Sequence, residues 1–179
     1  MPELTASLAT PAITEEISGE DTTAENPGTG RIFAEARLCW RYLAVAARGG
    51  TTDESTDLWL GHCAFHAGEY RKAMQVYERM LSQKNCAQEV FLYIACCAFY
   101  LGLCSEAREY AEKGVKNALQ NRLLFHVAHR LKDEKQLMAH HSQLQDTTED
   151  QISLASVHYL RSHYQEAIDI YKKILINNK

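Results

Sequence analysis

Apolar residues recur at helical spacing along most of the chain, and short polar turns interrupt them at regular intervals. Between Ile32 and Ala47, the residues Phe33, Ala36, Trp40 and Leu43 share one face, the pattern of an amphipathic helix. Two glycines with several Thr, Ser, Asp and Glu residues then make Arg48 to Thr56 a connecting loop. Trp59, Leu60, Gly61, Ala64 and Phe65 predict the next helix. It stops at Gly68, which without a Cβ enters the left-handed region at no steric cost. Tyr70, Ala73, Tyr77 and Leu81 predict a partner helix, and the same order returns with Phe91, Ile94, Ala95 and Ala98, then Gly102 and Ala107. No stretch alternates with the two-residue period of a half-buried strand. The fold class is all-α.

Gly68 and Ala73 reappear thirty-four residues later as Gly102 and Ala107, the period and residue types of a tetratricopeptide repeat. The expected architecture is a tetratricopeptide-repeat α-solenoid of about three and a half to four helical hairpins, each burying its face against a neighbour. A half unit spans 32–47, and units follow at about 57–83, 88–116, 119–145 and 148–178, so that 32–179 forms one helical domain. The small residues Gly61 and Ala95, and Ala73 and Ala107, let paired helices approach closely; a Leu at either alanine costs about 1–3 kcal/mol by overpacking. The third unit is irregular: Lys132-Asp133-Glu134-Lys135 stands at its turn in place of glycine, and Leu137 stands where the alanine is expected. The fourth returns to pattern with Leu154, Ala155, Tyr164, Ala167, Tyr171 and Ile174. Because the chain stops at the end of a second helix, Ile168, Tyr171, Ile174 and Leu175 are expected to form an uncovered apolar stripe and a site of self-association. Glycines at this spacing and short polar turns exclude a long coiled coil.

The net charge of −4 is mild, which gives no ground for a nucleic-acid partner or an anionic membrane. It is unevenly spread. Residues 1–30 hold six acidic and no basic residues, against 17 acidic and 19 basic in the remainder. With its Thr, Ala, Ser, Gly and Pro, the acidic leader 1–31 lacks any helical or strand period and reads as disordered. No cationic stretch precedes an apolar one as in a signal peptide, and no apolar run is long enough for membrane insertion. Most of the six cysteines, Cys39, Cys63, Cys86, Cys96, Cys97 and Cys104, fall on apolar helical faces as small hydrophobes. Adjacent Cys96 and Cys97 point apart on a helix. The cysteines are read as reduced thiols of a cytosolic protein.

Candidate chemistry is sparse. His62 and His66 lie one helical turn apart, yet no Glu follows His62 and no third ligand is placed. His126 with His129, His140 with His141, and His158 with His163 likewise lack metal-ligand spacing. There is no strained nucleophile turn and no glycine-rich phosphate loop, so neither an enzyme nor a cofactor or metal site is expected. The register of tetratricopeptide first helices instead assigns a concave partner-binding groove. It comprises Leu58, His62, Phe65 and His66, then Leu92, Cys96, Phe99 and Tyr100, and from the fourth unit Ile152, Ser156, Tyr159 and Leu160. Such an aromatic and aliphatic surface suits a helix or extended apolar segment of a protein. The competing reading is that part of this stripe is consumed by packing. Co-chaperone repeats hold a C-terminal carboxylate with a Lys/Asn/Arg clamp; Leu58, His62 and Tyr93 occupy the clamp positions here, which argues against that ligand.

Three segments are more distinctive than generic repeat sequence: Gln120 to His129, Leu144 to Ser156, and His158 to Lys172. Together they resemble the tetratricopeptide subunit family of intraflagellar transport complex B, the tetratricopeptide repeat protein twenty-six family. Leu58 to His66 fits the same family, and the resemblance covers about Asp57 to Asn178. It implies a non-enzymatic scaffold of cytoplasm and cilium, including the ciliary base. Such a protein binds other complex-B subunits and ciliary cargo, and supports cilium assembly and the transport of motility proteins. The acidic leader and the end after the fourth unit depart from the family pattern, and mark the chain as a truncated form. The alternative is a general tetratricopeptide adaptor, a co-chaperone or trafficking scaffold unrelated to cilia.

Overall fold

The computed structural model describes residues 37–39, 45, 54–82 and 86–177. The acidic leader 1–31 lies outside the described residues, as does the expected half unit 32–47 apart from residues 37–39 and 45, which are helical. From Glu54 onward the chain runs through α1 (Glu54–His66), α2 (Tyr70–Leu81), α3 (Glu89–Tyr100), α4 (Cys104–Lys113), α5 (Ala118–Arg130), α6 (Glu134–His141), α7 (Thr148–Leu160) and α8 (Tyr164–Asn177). There is no strand among the described residues. The helices pack as consecutive antiparallel hairpins, α1 with α2, α3 with α4, α5 with α6 and α7 with α8, which is the tetratricopeptide arrangement. They fall into two compact units, divided between Val115 and Lys116.

One hydrogen-bond pattern closes all four hairpins. At the first turn the Gly68 amide donates to the Phe65 carbonyl and the Glu69 amide to the Ala64 carbonyl. The pairs Gly102 to Phe99 with Leu103 to Ala98, Lys132 to His129 with Asp133 to Ala128, and Ser162 to Tyr159 with His163 to His158 repeat it. These are Schellman ends, in which one residue in the left-handed region lets two amides turn back onto carbonyls of the last helical turn. That residue is Gly68 (φ 78°), Gly102 (φ 79°), Lys132 (φ 56°) and Ser162 (φ 63°) in turn. Lys132 thus does the work of a glycine at the place the irregular third unit marks. The fourth turn is also made without glycine, although its flanking sequence otherwise returns to pattern.

In the first unit the core is aliphatic and aromatic. Ala73, Tyr77, Ile94, Ala95, Ala98 and Ala107 have no exposed surface. Gly61 lies against the Tyr77 ring, and a Cβ added there would overlap a carbon of that ring. The expected close approach at Gly61 therefore serves an aromatic ring of α2. Asp57, buried at the start of α1, pairs with Arg79 of α2 at 2.6 Å.

The second unit builds its core from Phe125, Ala128, Leu137 and Val157, with Leu144 and Leu154 packed against them. Leu137 fills the alanine position with a larger side chain, and it is buried. A charged pair is enclosed as well: Arg122 on α5 donates to Asp150 on α7 at 2.6 Å, with both side chains almost wholly buried. The second Asp150 oxygen accepts the Gln145 amide at 2.8 Å. Asn117, Asp133 and Thr147 cap α5, α6 and α7 by accepting amides of their first turns.

Candidate protein-binding surface

In the first unit, the eight positions assigned to the groove divide by burial. Phe65, Leu92, Cys96 and Phe99 are buried, whereas Leu58, His62, His66 and Tyr100 are half-buried. The packing reading of the stripe accounts for the first four and leaves the other four to meet solvent. Two ring clusters hold three of the partly open residues, His62, His66 and Tyr100. His62 sits between Tyr77 and Tyr93, with ring centroids 6.1 and 5.1 Å away, and its Nδ1 lies 2.9 Å from the Tyr77 hydroxyl. This joins α1, α2 and α3 at one point. At the other end of α1, Phe65 meets Tyr70 and Tyr100 edge-on, each at 5.3 Å, and those two tyrosines stack at 4.8 Å. Paired rings in such offset or edge geometries hold one another more firmly than their buried area alone provides.

The electrostatics favour neutral groups. Burial, with the neighbouring His66 adding to it, pushes His62 down to about 4, so its imidazole is uncharged at neutral pH. Burial likewise raises the Tyr77 hydroxyl well above the ordinary phenol range. Tyr93 at a clamp position is buried and also raised, chiefly by burial, then by Glu89. Leu58, His62 and Tyr93 thus supply neither Lys nor Arg at those three positions for a carboxylate tail.

In the second unit, Ile152, Tyr159 and Leu160 are half-buried, and Ser156 is completely buried. The Ser156 hydroxyl donates back to the Ile152 carbonyl at 2.7 Å, one turn earlier on α7. Tyr159 meets the ring of Tyr164 edge-on at 5.4 Å. On α8, Tyr164, Ile168, Tyr171, Leu175 and Ile176 are exposed and Ile174 is half-buried, so the expected apolar stripe is present and extends at both ends.

Several features escaped the sequence reading. Trp59 exposes 58% of its surface one turn before Cys63, although its helical phase resembles that of a core residue. Neither Asp57–Arg79 nor Arg122–Asp150 was marked, because their members are 22 and 28 residues apart and charge spacing on a single helix does not register such pairs. His126 is buried, and that burial, followed by the charges of His129, Arg130 and Arg122, pushes it down to about 4. None of the six cysteines is in a disulfide; Cys96 and Cys97 are buried, whereas Cys39 is exposed. Among the described residues, no three His, Cys, Asp or Glu side chains are grouped to hold a metal ion. No described helix is long and apolar enough to cross a membrane.

Residues 57–179 match the family of intraflagellar transport protein 56. The intraflagellar transport protein 56 homolog of Caenorhabditis elegans is 43% identical over 123 residues, which cover 69% of this chain and 21% of that relative. The chain therefore spans about a fifth of the length of the curated relative it matches.

Proposed function

The chain belongs to the intraflagellar transport protein 56 family, and we propose that its helical hairpins serve as a protein-binding scaffold in intraflagellar transport. The family match carries this reading, because it takes in all four hairpins, including the irregular third one, and is not confined to a motif common to tetratricopeptide proteins. The partners are other subunits of intraflagellar transport complex B and ciliary cargo, and the places of action are the cytoplasm and the cilium with its base. The role is support of cilium assembly and of the transport of motility proteins, without catalysis or a cofactor.

Leu58, His62, His66 and Tyr100 on the first unit, and Ile152, Tyr159 and Leu160 on the second, are the positions from which a partner is contacted. Phe65, Leu92, Cys96, Phe99 and Ser156 support them from beneath. Aromatic and aliphatic side chains at these positions, with Leu58, His62 and Tyr93 where a carboxylate clamp has Lys, Asn or Arg, suit an apolar helix or extended segment better than an acidic tail. The stripe on α8 adds a route to self-association, since exposed apolar side chains in one row gain by covering one another.

Affinity capture from ciliated cells tests the reading. Complex-B subunits should be recovered, and their yield should fall when Tyr100 and Tyr159 are each replaced by Asp. Recovery of chaperone tails alone would replace this reading with that of a general tetratricopeptide adaptor.

A further inference from the structure

Cys39 and Cys63 are brought together from positions 24 apart in sequence: the Cys63 thiol donates to the Cys39 sulfur at 3.0 Å. Both belong to the first unit, Cys39 on an exposed helical residue and Cys63 half-buried on α1. The remaining thiols stand differently. Cys96 and Cys97 are buried neighbours on α3, where adjacent positions point apart; Cys86 precedes that helix, and Cys104 opens α4. We propose that Cys39 and Cys63 form an oxidation-sensitive dithiol, a modification site that peroxide converts to an intramolecular disulfide.

Exposure assigns the order of events. Cys39 meets a peroxide first and attacks one of its oxygens; the O–O bond breaks, Cys39 becomes a sulfenic acid, and one water leaves. Cys63 then attacks the Cys39 sulfur, its thiol proton leaves with the sulfenic oxygen as a second water, and the S–S bond forms. Two thiols lose two electrons and two protons, and one peroxide is reduced to two waters. Burial, and then the contact with Cys39, pushes the Cys63 thiol up to about 12, which makes it a poor first attacker. Its part as the resolving thiol rests on the 3.0 Å contact of the two sulfurs, which places it against the Cys39 sulfur once that is oxidised. In a reducing compartment such a bridge is transient, which is what a sensor requires. It ties the chain around residue 39 covalently to α1, one helical turn beyond the exposed Trp59.

The test is mass mapping of the full chain after brief treatment with hydrogen peroxide at neutral pH, with remaining thiols alkylated before digestion. The expected result is a linked Cys39–Cys63 peptide pair, loss of those two thiols only, and their return on treatment with dithiothreitol. Cys39→Ser and Cys63→Ser should each abolish the link while Cys96 and Cys97 keep their alkylation pattern from unfolded digests. Repeating the oxidation in urea should scatter the products among all six cysteines. The proposal is overturned if the native chain gives the same mixture as the unfolded one. It is equally overturned if Cys39 advances to sulfinic acid while Cys63 is still fully alkylated, or if Cys39 links only to a second molecule.

Discussion

The two units reach one hairpin geometry by different chemistry. In the first, glycines supply the turns, a glycine seats a tyrosine ring, and the interior is almost wholly apolar and aromatic. In the second, a lysine and a serine take the left-handed positions, polar side chains cap three helices, and a charged pair lies inside. The difference teaches that the tetratricopeptide hairpin depends on one backbone conformation at its turn and on complementary volumes at its crossing. Residue identity is free to vary so long as both conditions are met. What varies with it is the kind of damage each unit suffers when a single side chain is changed.

The largest effect is expected inside the second unit. Arg122→Met leaves Asp150 buried without its cation, and breaking such a pair costs about 3–5 kcal/mol. The double replacement Arg122→Met with Asp150→Leu should recover most of this loss, because an apolar pair of similar volume avoids the desolvation of two ions. The corresponding change in the first unit, Arg79→Met, should cost less, about 1–3 kcal/mol, since more than half of Arg79 is exposed although Asp57 itself is buried. Urea denaturation of the four proteins measures the contrast. Equal losses for Arg122→Met and Arg79→Met would erase the distinction between an enclosed pair and an open one.

A second test reverses the direction and strikes the first unit. Gly61→Ala places a Cβ where the Tyr77 ring already stands, and the ring is held by His62 and by Tyr93 at 5.5 Å. The ring must shift, at a cost of about 1–3 kcal/mol. Tyr77→Leu in the same background should relieve part of it, and a calorimetric transition for Gly61→Ala at the parent temperature would show that the ring yields freely.

Much of this contrast was legible in the sequence, and the part that was not has a physical cause. Local features were readable: the glycine period, the apolar faces, the displaced turn at Lys132 and the large residue at Leu137 all act within one hairpin. The apolar row of α8, Ile168, Tyr171, Ile174 and Leu175, was readable for the same reason, since it needs only helical phase. The Tyr77 seat on Gly61, the Arg122–Asp150 pair and the approach of Cys39 to Cys63 depend on which helices meet, and no spacing rule within a helix records them. Ser162 was missed for a different reason. A serine in the left-handed region carries no compositional mark, and Tyr164 and Ala167 beside it follow the repeat pattern. Of the assigned partner-facing residues, helical register placed the face but could not say how deep each side chain sits. Phe65, Leu92, Cys96 and Phe99 are packed away where Leu58, His66 and Tyr100 are not.

The smallest expected effect bears most directly on the comparison. If one backbone conformation is the common requirement, glycine should help wherever another residue now supplies it. A side chain in the left-handed region costs roughly 1–2 kcal/mol, and the unfolded chain's greater freedom with glycine offsets part of the gain. Lys132→Gly should therefore stabilise the chain by about 0.5 kcal/mol, and Ser162→Gly by a similar amount. Gly102→Ala should destabilise it by about 1 kcal/mol; a Cβ there has no atom within 4 Å, so the backbone conformation alone is responsible and not crowding. Opposite signs for the lysine and glycine replacements, read from denaturation midpoints at constant slope, would establish the turn conformation as the shared element. A loss of stability in Lys132→Gly would instead mean that the lysine side chain contributes something to the third turn that glycine cannot, and the two units would then differ in their turns as well as in their cores.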